Sequence, residues 1–394
     1  MMEKFEIFDK YYLKKNPFPP AASSIESGGE LYISEKWKSA VDNNYNDLKS
    51  GAGAKAFPII GEYGSGKTAF LKGYLKKYFE DKNFLVFYFE NPGTQFYDLA
   101  NDLFRNIGRY EFSKAIWELT KNEISSGSQT TLFKDDFPDF LNKLKTKKDR
   151  EIKEREIKLA LQKIDFISDE EISYRLAHMV VETGVKPYFE YKDFMVGKKE
   201  SIVAEKMEDT FFSAIIQLIT KIYNYDGIVF LIDEFEDVAI SKRLTMNKSL
   251  EYLATLRNLL NISNNCNLWI AIAMTHQAAT KTKELNQPLW ERFTHDETTS
   301  INLDPFTLEE SKELFANWLS KGRIDSFKDD INMLYPFSDD YLDYLDNDSK
   351  LRLPRKLVKL GFFSLAYAIN EQLEPPIKQD VLKIIIEKHN LIDA

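Results

Sequence analysis

The chain has 394 residues with 53 Lys+Arg, 62 Asp+Glu and a formal net charge of −9 at pH 7; 43% of it is hydrophobic and 29% charged. At roughly 150 residues per domain this is a folded chain of two to three units, not a disordered one. A single cysteine, Cys266, excludes an internal disulfide, and four scattered histidines (His178, His276, His295, His389) argue against a His/Cys metal centre, so a reducing, cytoplasmic setting is expected.

The opening Met1-Met2-Glu3-Lys4-Phe5-Glu6 lacks a basic stretch followed by an apolar core, so no signal peptide is expected. The apolar runs fall far short of the ~20 residues of a spanning helix, so no membrane insertion is expected either. The acidic balance disfavours broad attraction to nucleic acid while leaving room for a local basic surface.

In chain order, strand character appears at residues 56–60, 84–89, 228–232, 268–274 and 298–302, all rich in β-branched or aromatic residues. Helical patterns fill 67–80, 95–107, 202–222 and 247–262 between them. Unalternated apolar strands separated by helices predict an α/β fold, a five-stranded parallel sheet covered on both faces.

Between the second and third strands, residues 110–201 read as helical, too long for one crossover, and predict an inserted helical subdomain. Within it the charged run 143–158 carries eight basic residues: Lys143, Lys145, Lys147, Lys148, Arg150, Lys153, Arg155 and Lys158. They suit either a solvated helix laced with ion pairs or a basic face for a nucleic acid or partner protein.

After Asp304-Pro305 only helix signals follow, at 307–321 with a Thr307/Glu310 capping box, then 338–345, 353–371 and 377–389, with Pro375-Pro376 between the last two. The expected organisation is a leading segment 1–50, an α/β unit 51–302 with its insert at about 110–201, and a helical unit 303–394.

Two motifs carry chemistry. Gly61-Glu62-Tyr63-Gly64-Ser65-Gly66-Lys67-Thr68 matches G-x-x-x-x-G-K-[ST] between an apolar strand and an amphipathic helix. Its glycines let backbone N–H groups wrap phosphates, and the helix N-terminus adds a positive dipole. Lys67 is expected to reach the β/γ-phosphates of ATP and the Thr68 hydroxyl to ligate Mg²⁺. The run Ile228 to Ile232 ends in Asp233-Glu234: Asp233 is expected to hold Mg²⁺ through water, and Glu234 to orient and deprotonate an attacking water.

With these motifs in this order the chain resembles the AAA+ P-loop ATPases over nearly its whole length, which implies an ATPase core with a C-terminal helical lid. Tyr12-Leu13-Lys14-Lys15-Asn16-Pro17-Phe18-Pro19, Leu31-Tyr32-Ile33-Ser34 and Phe87-Tyr88-Phe89-Glu90-Asn91-Pro92-Gly93 are similar to one clade within it. That clade joins replication-origin initiators, transposon target-selection ATPases and ExeA-type ATPases, with similar proteins in phage-defence islands. The initiators carry a winged helix after the lid; here the sequence runs out at Ala394, so DNA binding by that route is not expected.

The resemblance implies three further roles. Thr275 falls at the sensor-1 position, with His276 able to substitute. Arg292 falls at the arginine-finger position, acting on a neighbouring subunit, the alternative being an ion pair with Glu291 or Asp296. Arg355 falls at the sensor-2 position, with Arg352 a near competitor. The loop from Ala239 to Ser249, carrying Lys242, Arg243 and Lys248, faces a central channel in ring-forming relatives or is simply solvated. The resemblance thus implies a homo-oligomer, ring or filament, hydrolysing ATP with Mg²⁺ beside DNA. Its rivals are an ATP-dependent switch that recruits a partner effector protein, and a protein-threading ATPase, for which no aromatic pore loop is evident.

Overall fold

The structure, a computed structural model, describes residues 8–20, 32–49, 55–93, 96–125, 135–164, 167, 169–185, 214–240, 244–262, 267–294, 300–328 and 331–391. Helix α1 (Glu35–Lys49) leads into β1 (Lys55–Ile60), α2 (67–80) and β2 (Phe84–Phe89). Next come α3 (Phe96–Ile107) and the insert helices α4 (Arg109–Ser125), α5 (Phe137–Lys143), α6 (Lys147–Leu161) and α7 (Glu170–Glu182). A helical stretch over 214–223 returns the chain to β3 (Gly227–Ile232). There follow α8 (Glu236–Ala239), α9 (Met246–Ile262), β4 (Leu268–Met274), α10 (His276–Leu285), α11 (Gln287–Phe293) and β5 (Ile301–Asn302). The C-terminal part is helical: α12 (Leu308–Gly322), α13 (Pro354–Asn370) and α14 (Gln379–Lys388).

The five strands form one parallel sheet in the order β2-β3-β4-β1-β5. Every residue of β3 and β4 is buried, and alternate residues enter two different cores. Ile228, Phe230, Ile232, Ile270, Ile272 and Met274 point into one core, shared with Trp117, Phe140, Ile157 and Leu176 of the insert. Val229, Leu231, Trp269, Ala271 and Ala273 point into the other, shared with the C-terminal helices. A sheet apolar on both faces needs such double cover.

The leading segment packs where its motif gave no reason to look. Leu13 bridges antiparallel to Arg323, Asn16 Nδ2 donates to the Phe362 carbonyl at 3.1 Å, and the Tyr11 hydroxyl donates to the Leu373 carbonyl at 2.7 Å. Phe18 is buried against Gly361 and the ring of Phe315, centroids 5.0 Å apart. Residues 8–20 are therefore tied to the C-terminal helices.

Three expected elements come out differently. In α2 the middle turn, Phe70–Leu75, is π-helical between α-helical Lys67–Ala69 and Lys76–Glu80. The helix expected at 338–345 is instead a set of turns with 3₁₀ segments Asp343–Asn347 and Ser349–Arg352. Just beyond residue 345, Asp348 Oδ1 accepts from the Lys350 N–H at 2.9 Å, a local bond of the kind that competes with an α-helix. The last strand is short, Ile301–Asn302, and residues 295–299 lie outside the described residues.

The charged insert helix α6 opens on a Thr146/Asp149 capping box and is laced with ion pairs. Lys147–Glu151 (3.7 Å), Arg150–Glu182 (3.0 Å) and Lys153–Glu156 (2.7 Å) are joined by Lys143–Asp135 and Lys158–Glu170. Lys145, Lys148 and Arg155 are exposed and carry no ion pair among the described residues. Lys148, Ile152, Arg155 and Leu159 recur at helical spacing on the outward face, with Ile152 48% and Leu159 56% exposed. Among the described residues, no helix is long and apolar enough to cross a membrane.

Because Phe18 joins the leading segment to the C-terminal helices, Phe18→Ala should cost about 3–5 kcal/mol, the usual penalty for emptying a buried phenylalanine site. A urea unfolding midpoint unchanged from that of the unsubstituted chain would show that the segment is not held there.

Candidate functional site

Burying both faces of the sheet leaves its ends for polar groups. At the carboxyl edge, β1 runs into Gly61, the neighbouring β4 into Thr275 and the next strand, β3, into Asp233. Open parallel sheets bind ligands at this edge.

The loop after β1 is anchored by the Gly61 N–H, which donates to the Met274 carbonyl at 3.1 Å, and by a turn closed from the Ser65 N–H to the Glu62 carbonyl. Gly64 (φ 84°) and Gly66 (φ 93°) take left-handed conformations that a side chain would strain. Gly66 caps α2 without a side-chain partner, so the first N–H groups of the helix stay open at its positive end. Ser65 Oγ is buried with no hydrogen-bond partner among the described residues, and Thr68 is half-buried in the first turn.

Lys67 reaches back across this loop. Its ammonium donates to the carbonyls of Gly61 (2.9 Å) and Glu62 (3.3 Å), lies 3.7 Å from Glu236 Oε1 and stands 5.4 Å from the Tyr63 ring centroid. Burial lowers its pKa, against the opposing pull of Glu236, Asp233 and Glu62.

Asp233 is 2% exposed and held from two sides. The Tyr88 hydroxyl donates to Oδ2 at 3.0 Å, and the Glu234 N–H donates to Oδ1 at 2.9 Å. Glu234 has φ 50°, an unfavourable conformation for a side-chain-bearing residue, and is exposed beside Asp233. Desolvation first, then the charges of Asp233, Asp237, Glu236 and Glu90, push its carboxyl above the ordinary carboxylate range. Thr275 caps α10, its Oγ1 accepting from the Ala278 N–H at 3.2 Å, while the adjacent His276 is exposed.

The C-terminal helices close on the same loop. At the start of α13 the Arg355 N–H donates to the Gly64 carbonyl at 3.1 Å, and the Arg355 side chain packs on Gly64. Arg352, the competitor, is engaged elsewhere, donating to the Leu345 carbonyl (3.3 Å) and to Asp346 (3.0 Å).

The phosphate loop, Lys67, Thr68, Asp233, Glu234 and Arg355 thus gather at one edge, with Thr275 between loop and acids. Arg292 is not joined to them: it lies on α11, its guanidinium without a hydrogen-bond or ion-pair partner among the described residues. Glu291, one of its expected partners, instead accepts from Gln287 at 3.0 Å; Asp296 lies outside the described residues, as do Lys242 and Arg243. Lys248 is exposed on α9.

Sequence reasoning missed two groups. Glu236 is the third acid of Asp233-Glu234-Phe235-Glu236-Asp237, and that density of acids was its only signal. Tyr88, in an apolar strand, read as core. The donor set suits a Mg²⁺–nucleotide: an open helix end, an ammonium, an unpartnered buried hydroxyl, and hard oxygens from Thr68 and Asp233. Magnesium is commonly held by one or two carboxylates plus substrate phosphates.

Fold and edge together define a P-loop protein of the parallel α/β class. The family profile described as AAA domain matches residues 52–281, more than half of the chain, and the chain belongs to that family. No curated protein matches it. Among solved structures it is similar to the Aeropyrum pernix ORC2 protein in ADPNP–ADP complexes, at 13% identity and a TM-score of 0.45, covering 97% of this chain and 71% of that one. The ADP form of the same protein gives 12% identity and a TM-score of 0.45, over 97% and 72%.

Proposed function

We propose that the chain is an ATPase that binds ATP with Mg²⁺, hydrolyses it to ADP and phosphate, and works as a homo-oligomer. The observation that carries this reading is the convergence of Lys67, Asp233 and Glu234 on the open N-terminus of α2. Lys67 and the loop N–H groups would hold phosphate oxygens, with Thr68 and Asp233 as the metal ligands. Bound Mg²⁺ would neutralise charge developing on the transferring phosphoryl group. Glu234 would orient the attacking water and take its proton. Thr275, which uses its oxygen to cap α10, keeps an O–H to donate, and Arg355 would respond to nucleotide through its seat on Gly64.

Glu234→Gln should keep ATP affinity and lose most turnover. In the unsubstituted chain turnover should fall as pH drops through the raised pKa of Glu234, because the protonated acid cannot accept a proton, and that limb should vanish from the residual rate of the variant. Turnover equal to that of the unsubstituted chain would remove Glu234 from this role.

Oligomerisation is proposed on Arg292, which lies off the site, has no ion-pair or hydrogen-bond partner among the described residues, and would act in a neighbouring subunit. An arginine so supplied can be worth roughly 10³–10⁵ in rate. Arg292→Ala and Lys67→Ala should each be inactive alone and regain partial activity when mixed. No recovery in assemblies verified as mixed rejects a finger in trans.

For the biological role, we propose action beside DNA in mobile-element, replication or phage-defence processes. A second reading, recruitment of an effector protein by an ATP-dependent switch, is favoured by the outward face of α6, where Ile152 and Leu159 stand beside Lys148 and Arg155, which form no ion pair among the described residues. Apolar side chains suit a protein surface better than phosphates. Reversing Lys145, Lys148 and Arg155 to Glu should weaken duplex DNA binding and flatten its salt dependence if DNA lies on this face. Unchanged DNA affinity and salt slope would turn the face over to a protein partner.

A further inference from the structure

Five residues after β3 carry four carboxylates, and three of them have an engagement. Asp233 is bonded by Tyr88, Glu234 is turned outward by its left-handed backbone, and Asp237 accepts from Asn91 Nδ2 at 2.8 Å. Glu236 remains. It opens α8, is 9% exposed, and its Oε1 has no hydrogen-bond partner among the described residues. The nearest cation is Lys67 at 3.7 Å, the two side chains being 10% and 11% exposed for Lys67 and Glu236. An ammonium has three N–H donors. The carbonyls of Gly61 and Glu62 take two of them, and the remaining direction is the one Glu236 faces.

That direction is also the one through which Lys67 would meet a phosphate oxygen. A carboxylate and a polyphosphate are both anions, and little water separates side chains this buried, so they repel at short range while competing for one cation. We propose that Glu236 is an internal competitor for phosphate at Lys67 and so sets how strongly the site prefers a nucleoside triphosphate to a diphosphate. The inference rests on the nucleotide-binding reading above. Glu236 acts on the ligand through Lys67 and is a specificity-determining residue, not a catalytic one. Its effect is largest for the ligand with most charge near the ammonium, the triphosphate.

The test is equilibrium binding of ATPγS and ADP, each with Mg²⁺ and with EDTA, to the full chain and to Glu236→Gln and Glu236→Asp. Glu236→Gln removes the charge and keeps the shape; it should bind ATPγS roughly tenfold more tightly, about the worth of one charge-assisted contact, with a smaller gain for ADP. Glu236→Asp draws the charge back by one methylene and should fall between, which keeps the test open if the amide variant folds poorly. An unchanged ATPγS-to-ADP ratio overturns the proposal by reducing Glu236 to a structural partner. Weaker binding confined to the Mg²⁺ series overturns it by making Glu236 a metal ligand. Failure of the unsubstituted chain to bind either nucleotide would instead strike the ATPase reading itself.

Discussion

Double burial of the central sheet governs the rest of the molecule. β3 and β4 have no residue facing water, since one face lies in the core shared with the insert helices and the other in the core shared with α1, α2 and the C-terminal helices. A polar side chain within those strands would lose its hydration with no partner to replace it. Charged and hydroxyl groups are therefore expelled to the strand ends. At the carboxyl end of three neighbouring strands they arrive together as Gly61, Thr275 and Asp233. Polar groups gather at this edge because the strands leave them nowhere else to go.

Electrostatics at the edge are lopsided. Asp233, Glu234, Glu236 and Asp237 surround a site whose buried cation is Lys67. Burial lowers the pKa of Lys67 while the acids support its charge, and burial beside the same acids raises the pKa of Glu234. A group poised above the ordinary carboxylate range is better suited to accept a proton near neutral pH than a solvated glutamate. The left-handed backbone of Glu234 fits the same picture: strain at one residue turns the second acid away from the first and leaves Asp233 free for its bond with Tyr88.

Strand positions and the phosphate loop were legible in the sequence because both depend on local pattern. The run Leu268 to Met274 is apolar throughout, and Gly61 to Thr68 has a spacing few other structures require. Asp233 and Glu234 were legible as the polar end of an apolar run. Glu236 was not, since its meaning lies in a distance to Lys67, which is 169 positions away in the chain. The C-terminal turns at 338–352 misled for a different reason: their apolar spacing suits a helix, but Asp348 bonds the local backbone at Lys350 while Asp343 and Asp346 reach out to the side chains of Lys312 and Arg352. The leading segment was visible as a motif, yet nothing local says that Phe18 fits over Gly361 and Tyr11 reaches Leu373.

That docking gives the loop a mechanical neighbour. α13 touches the phosphate loop through the Arg355 N–H and the Gly64 carbonyl, and the same helix carries Gly361 and the Phe362 carbonyl, where Phe18 and Asn16 sit. Residues 8–20 are thus held about two turns further along the helix whose first turn rests on Gly64. A rigid shift of α13 would move the Arg355 side chain relative to Lys67 and drag the leading segment with it, because both contacts lie on one continuous helix. Packed interiors shift between discrete arrangements more readily than they deform. In this chain the phosphate loop and the leading segment are joined through one helix, and Gly64, with no side chain to wedge the helix away, is where that helix bears on the loop.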